Sequence, residues 1–198
     1  DNEKKKTGYN IIGYPILLFN SEKGINAGAS WSLYDYGTGE EFPQYNHYWF
    51  AEVTRSTKDN FDIQLMYDSE KLFTSTRLNT EITYFRDLTM DFYGFNGYRA
   101  YYNRNYELEN SDEYISRVYY KFHRELLRFK TDIQRGMFND KWKYLIGVEH
   151  YNIKQDTVDI HRLNKKSDHA LPYVNGGLYQ QYIDRGFMNA NHTNLFNC

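Results

Sequence analysis

From Phe61 to Asp68, and again from Arg77 to Tyr84, side chains alternate in character at every step. Phe61, Ile63, Leu65 and Tyr67 interleave with Asp62, Gln64, Met66 and Asp68. Leu78, Thr80, Ile82 and Tyr84 interleave with Arg77, Asn79, Glu81 and Thr83. A period of two with one apolar and one charged face specifies a half-buried β-strand, because successive side chains leave a strand on opposite sides. A chain built on this pattern must bury one face of each strand. What covers that face decides its class.

The apolar complement is unusual. Of 198 residues only 40% are hydrophobic, and 21 Tyr, 13 Phe and 3 Trp supply a large share of them. Tyrosine suits places where one end of a side chain is apolar and the other wet, such as sheet surfaces and membrane interfaces. Net charge is −2 with both signs dispersed, which argues against a nucleic-acid-binding face. Glu3-Lys4-Lys5-Lys6 reads as a solvated lead-in. The single Cys198 excludes an intrachain disulfide framework and a cysteine zinc site.

The alternation predicts eight strands, no helix and one domain. The first two cover Tyr9–Phe19 and Ile25–Tyr36, joined through Asn20–Gly24. Gly37-Thr38-Gly39 and Pro43 mark a loop, followed by a third strand over Tyr45–Ser56. The fourth is the alternating stretch from Phe61, the fifth is Arg77–Tyr98, which begins in alternation and ends in the aromatic–glycine cluster FYGFNGY, and Tyr98–Asp112 is a polar loop. Glu113–Arg135 is expected as one long sixth strand whose apolar phase slips between Phe122 and Leu127, as a β-bulge would produce. The seventh spans Lys141–Lys154 and the eighth Tyr173–Ile183. Residues 1–8 are a polar lead-in, 9–183 carry the strands, and 184–198 form an irregular tail.

Three features point to lipid as the cover. Aromatic residues cluster near strand ends, at Tyr45–Phe50, Tyr84-Phe85, Phe92–Tyr98 and Tyr119-Tyr120, as in interfacial girdles. Full charges (Asp62, Asp68, Arg77, Glu81) sit mid-strand, where a wet or ion-paired lumen accepts them. The strands exceed the globular norm of about five to six residues and suit a tilted bilayer span. The mean hydropathy of −0.83 is no obstacle, since only alternate barrel residues meet lipid. No apolar run approaches the roughly 18 residues of a transmembrane helix. The fold expected is therefore all-β, an antiparallel up-and-down transmembrane barrel. A soluble β-barrel holding a small apolar ligand is the reading it competes with.

Nothing in the sequence argues for an enzyme or a cofactor. The histidines (His47, His123, His150, His161, His169, His192) show no metal-binding spacing, and Asp168-His169 accompanies no nucleophile elbow. Asp156, Asp159 and Asp168 lack the order of a calcium loop.

The order of GYPILLFNSEKGINAGASWSLYDYG, then RLNTEITYFRDLTMDFYGFNGY, then a long Tyr/Arg-rich strand resembles the opening half of the barrel in the Omp85 superfamily, BamA/TamA (surface antigen) type. The matching residues are Pro15, Gly24, Ala27, Gly28 and Ala29, and the aromatic–glycine signature Phe92, Tyr93, Gly94 and Gly97. The resemblance implies a place within a sixteen-stranded barrel of the bacterial outer membrane. It implies a role in inserting or translocating proteins there, with lipid, substrate barrel proteins and envelope assembly subunits as partners. It also implies that the first strand, Pro15, Ile16, Leu17 and Leu18, is a weak seam accepting substrate strands by β-augmentation. A strand-start proline is the plainer account of Pro15. The aromatic–glycine signature reads first as a structural girdle at the interface. The chain departs from the family in supplying about eight strands and no upstream POTRA-like units. Arg185-Gly186-Phe187 spells the family's later-loop Arg-Gly-Phe/Tyr signature several strands too early, and is read as coincidence. A small closed barrel serving as passive channel, anchor or lipid-modifying enzyme is the remaining alternative.

Overall fold

The computed structural model describes residues 5–20, 23–73, 76–95, 97, 100–137, 141–165, 170–172 and 177–188, together with the backbone of 191–197. The chain is one antiparallel sheet whose eight strands lie side by side in sequence order. They are β1 (Tyr9–Asn20), β2 (Gly24–Asp35), β3 (His47–Ser56), β4 (Phe61–Phe73), β5 (Thr76–Asp91), β6 (Lys121–Met137), β7 (Trp142–Asp156) and β8 (Asn191–Asn197). Every strand pairs only with its sequence neighbours, so the topology is an up-and-down meander. The sheet is open: β1 pairs with β2 alone and β8 with β7 alone. No helix among the described residues is long and apolar enough to cross a membrane.

Unbroken register holds across β1–β2–β3 and β6–β7, from Tyr9 opposite Asp35 to Met137 opposite Trp142. Because the side-chain period is two, this register keeps each strand's apolar set on the same side of the sheet as its neighbour's. The first three strands start and stop close to where the alternation predicts, and β5 ends at Asp91, so the aromatic–glycine cluster from Phe92 lies beyond the strand. β4 continues to Phe73, five residues past its last alternating pair.

The sixth strand is shorter than expected. Glu113–Tyr120 is not strand, and β6 begins at Lys121. Tyr119 and Tyr120 are buried within a loop, Tyr120 to 1% exposure, and the two-residue spacing from Tyr120 to Phe122 continues the strand period without strand pairing. The bulge lies on the neighbouring strand. Asp87 faces Arg124 and Met90 faces Phe122, so Leu88 and Thr89 oppose His123 alone. The phase slip within β6 itself arises because Phe122 and Leu126 are buried on one face, whereas Leu127, Phe129 and Ile133 emerge on the other.

The eighth strand is elsewhere than expected. Of Tyr173–Ile183, residues 173–176 lie outside the described ones, and the rest falls in helix α2 (Leu178–Asp184). Leu178, Tyr179, Tyr182 and Ile183 follow an i, i+1, i+4, i+5 pattern, one helical face, and all four pack on the cluster around Phe92 and Phe122. Helix α1 (Ile160–Asn164) starts on Asp159, whose carboxylate accepts the Arg162 N–H at 3.0 Å. β8 lies inside the tail expected to be irregular. Its sequence, NHTNLFN, has almost no apolar alternation, and pairing with β7 defines it.

Candidate functional site

Following the register across the sheet assembles one apolar face. Leu17 faces Ala27, Phe19 faces Ile25, and Trp31 stands between Gly13 and Ala51. Val53 faces Ile63, and Ala51 faces Leu65. Leu65 faces Ile82, Ile82 faces Phe129, and Leu78 faces Ile133. Ile133 faces Ile146, and Thr131 faces Val148. The band therefore runs without interruption from β1 to β7. Its members are exposed, Leu17 to 74% and Phe19 to 79%, with Trp31, Leu65, Ile82, Phe129 and Ile146 alongside. Monomeric soluble proteins rarely expose contiguous apolar patches beyond a few hundred Å². Thr80 and Thr131, opposite each other on this face, pair their hydroxyls 2.9 Å apart. All three tryptophans, Trp31, Trp49 and Trp142, lie on it.

The opposite face carries the strand charges, and several of them are ion-paired. Arg128 donates to Glu149 at 2.6 Å and to Glu81 at 3.3 Å, and Glu81 also accepts from Gln64 at 3.1 Å and Thr83 at 2.9 Å. Lys130 reaches Asp132 at 2.9 Å. Arg77 grips the buried Asp68 through Nε at 3.0 Å and Nη2 at 2.6 Å, a two-pronged contact that fixes both groups. The Tyr45 hydroxyl, in the loop before β3, donates to the same carboxylate at 2.7 Å. Burial and that bond push the Tyr45 phenol well up, which keeps it a donor. Of the mid-strand charges read from the sequence, Asp68, Arg77 and Glu81 all have ionic partners here, and Asp62 accepts from Thr54 at 3.3 Å.

The seam residues sit on the free edge. Pro15 lies inside β1 opposite Ala29, not at the strand start. Ile16 and Leu18 point to one face and Leu17 to the other, so β1 is apolar on both sides along its unpaired edge. Elsewhere such an edge invites pairing with another chain, and proteins usually blunt it with charge.

Within the aromatic–glycine signature Phe92 turns inward while Tyr93 and Phe95 stay exposed. Phe92 is buried, its ring 5.2 Å from Tyr179, 5.3 Å from Tyr182 and 6.0 Å from Phe122. It is the hub of a cap formed where residues 92–120 and 157–190 meet. The two connections are tied directly, the Leu178 N–H donating to the Tyr119 carbonyl at 2.8 Å. Tyr93 stacks near Tyr102 and Tyr120, and Tyr120 closes the centre by accepting the Asn103 N–H at 2.9 Å. Gly94 has φ +98°, and a Cβ there would meet the Tyr182 hydroxyl at 2.6 Å, so glycine is required. No atom of the described residues lies within 4 Å of where a Cβ on Gly97 would stand. A second small cluster gathers Leu88, Leu163 and Leu171 at the bulge.

Arg185-Gly186-Phe187 has a local explanation. Gly186, with φ +74°, donates to the Ile183 carbonyl at 2.8 Å, and Phe187 to the Tyr182 carbonyl at 3.0 Å. This is a Schellman stop for α2, completed by Phe187 and Tyr182 rings 5.7 Å apart. The tripeptide ends a helix.

Comparison with family models, with curated proteins and with solved structures returns no match to this chain. No group of three metal-ligating side chains occurs among the described residues. What the sequence reasoning missed was the cap. Its signal was the helical spacing of Leu178–Ile183 and the N-capping Asp159.

Proposed function

We propose that this chain is the wall of a transmembrane β-barrel in a bacterial outer membrane, and that it acts, as the Omp85 resemblance implies, in insertion or translocation of proteins there. The observation that carries the reading is the pair of opposed faces. One is an exposed apolar band running from β1 to β7, and the other carries the charges, among them the ion pairs Arg77–Asp68 and Arg128–Glu149. Lipid solvates the first, and a lumen suits the second. The soluble-barrel alternative inverts this arrangement, since it would place the charged face in water and need a dry cover for the apolar one. The longest connections, 92–120 and 157–190, share one end of the sheet, the end that in such barrels faces the cell exterior.

Because every tryptophan lies on the apolar face, intrinsic fluorescence reports on that face without any substitution. In vesicles containing brominated acyl chains, the emission is expected to be strongly quenched, and aqueous iodide is expected to have little effect. Quenching by iodide and not by bromolipid would sink the membrane reading.

The role in protein insertion rests on β1. Its edge backbone is unpaired, and a substrate strand would extend the sheet there by β-augmentation. With Leu17→Cys in a Cys198→Ser background, a cysteine-bearing strand of a substrate barrel is expected to be trapped as a disulfide. Pro15→Ala, which restores a donor to the edge strand, is expected to change the yield. An unchanged yield removes the support for a seam at Pro15, while leaving the bilayer reading to the fluorescence result.

A further inference from the structure

At the end of the sheet that carries the two long connections, three arginines converge on one aspartate. Asp59 lies in the turn between β3 and β4. Arg55 of β3 donates from Nη2 to Asp59 Oδ1 at 3.0 Å. Arg86 of β5 donates from Nε and Nη2 to the Asp59 carbonyl at 3.2 and 2.9 Å. Arg162 of α1 brings its Nη2 to 3.7 Å from Asp59 Oδ2. We propose that this cluster binds the phosphate monoester of a lipid headgroup.

The first argument is position. Arg55 faces Phe61 and Phe61 faces Arg86, a single register row on the side of the apolar band. The next row inward is Val53, Ile63 and Tyr84, and the one after it Ala51, Leu65 and Ile82. The Phe61 and Tyr84 rings stand 6.0 Å apart at the change. Apolar surface therefore gives way to an aromatic pair and then to arginine within one step of the strand period. The proposal rests on lipid covering the band. Granted that, the arginine row is the level of the headgroups, where aromatic rings and basic side chains both collect. A lipid whose chain lies along Ile63 and Leu65 would hold its phosphate beside the arginines.

The second argument is charge. Three guanidiniums share the one carboxylate of Asp59, which is 16% exposed, whereas the Arg55 side chain is 66% exposed. Arg86 spends the Nε–Nη2 edge of its fork on Asp59 and not the Nη1 side. The acids around the cluster have other neighbours. Glu125 faces Arg86 across β6, but Lys154 faces Glu125 in turn, and Asp159 is bonded to the N-terminus of α1. A cationic or apolar ligand has nothing to gain from such a cluster. Carboxylates and phosphodiesters offer two unesterified oxygens. A phosphate monoester offers three, one for each guanidinium, and carries about −1.5 to −2 charge near neutral pH. A soluble anion would be held by the arginines alone, whereas a lipid adds the burial of its chain.

The test is native mass spectrometry of the purified full chain from detergent micelles doped with dioleoyl phosphatidic acid or dioleoyl phosphatidylglycerol. The two share their chains and differ as monoester and diester. Phosphatidic acid adducts are expected at about fivefold lower lipid concentration, the value of roughly one further ionic contact at a membrane surface. Arg55→Gln and Arg162→Gln, both at exposed side chains, should each weaken phosphatidic acid about fivefold. Arg135→Gln, at the opposite end of β6, should change nothing. Asp59→Asn suits the φ of 67° at that turn and removes the competing carboxylate, so it should tighten phosphatidic acid binding. An arginine cluster that merely braced the turn would show no such gain. Equal adducts of the two lipids, indifference to both arginine variants, weaker binding in Asp59→Asn, or displacement by millimolar inorganic phosphate would overturn the proposal. If any of these comes with tryptophan quenching by bromolipid intact, the headgroup site falls and the lipid-facing band stands. Quenching by iodide instead removes both.

Discussion

Replacing Ile82 with arginine is expected to cost the chain about 2–4 kcal/mol of stability in a bilayer. Ile82 stands mid-strand on β5, directly between Leu65 of β4 and Phe129 of β6, and is exposed on the apolar face. No acidic side chain stands opposite it on either neighbouring strand. A guanidinium placed there would have to desolvate or drag water and headgroups inward, and either route is expensive near the midplane. The adjacent Thr83→Arg points to the other face, where Thr83 already bonds Glu81 at 2.9 Å. A cation arriving beside that carboxylate should change stability by less than about 1 kcal/mol. Reversible urea unfolding in vesicles measures both. Were the apolar face in water, the contrast would vanish, because exposed substitutions away from special features stay within about 0.5 kcal/mol. Equal and small effects of Ile82→Arg and Thr83→Arg would therefore refute lipid as the solvent of this face.

The wall was legible in the sequence for a physical reason. Alternation is a local record of a two-faced environment, and in β4 and β5 both faces are written in full. Phe61–Asp68 and Arg77–Tyr84 each state the face of every side chain, and pairing merely aligns them. Two parts escaped. Tyr120 carries the strand period of Phe122 into a loop because burial in the cap, and not pairing, selects aromatic residues there. Helix α2 is seven residues long and has no side-chain N-cap, so its tertiary contacts with Phe92 and Phe122 hold it where propensity alone would not. β8 shows the converse. Its backbone register with β7, from Glu149 opposite Asn197 to Gln155 opposite Asn191, is a non-local fact that NHTNLFN does not encode. The signature at Phe92 was visible as a cluster, and its burial direction was not, because an aromatic run fits a girdle and a core equally well.

Phe92→Ala is expected to release the cap while leaving the wall folded. The ring sits among Phe95, Phe122, Tyr179 and Tyr182, and truncating a buried phenylalanine costs about 3–5 kcal/mol through lost burial and the cavity left behind. The cost should fall on the cap. Strand pairing from β1 to β7 passes nowhere through Phe92, whereas α2 touches the sheet chiefly at β6. Local opening of the weaker unit then precedes global unfolding. Amide exchange within Leu178–Asp184 and at Phe92, whose N–H donates to the Tyr120 carbonyl at 2.7 Å, should accelerate by about two to three orders of magnitude. Amides of β3 and β4 should keep their rates. Gly94→Ala should act in the same direction, since its Cβ would strike the Tyr182 hydroxyl from a backbone with φ +98°. Wild-type protection across α2 in Phe92→Ala would show that the tie between Leu178 and Tyr119 holds the cap without the aromatic hub. Loss of protection in the strands as well would show that cap and wall fold as one unit. In that case the connections could not open over a standing sheet, and a path from the loop end onto the polar face would require the strands themselves to move.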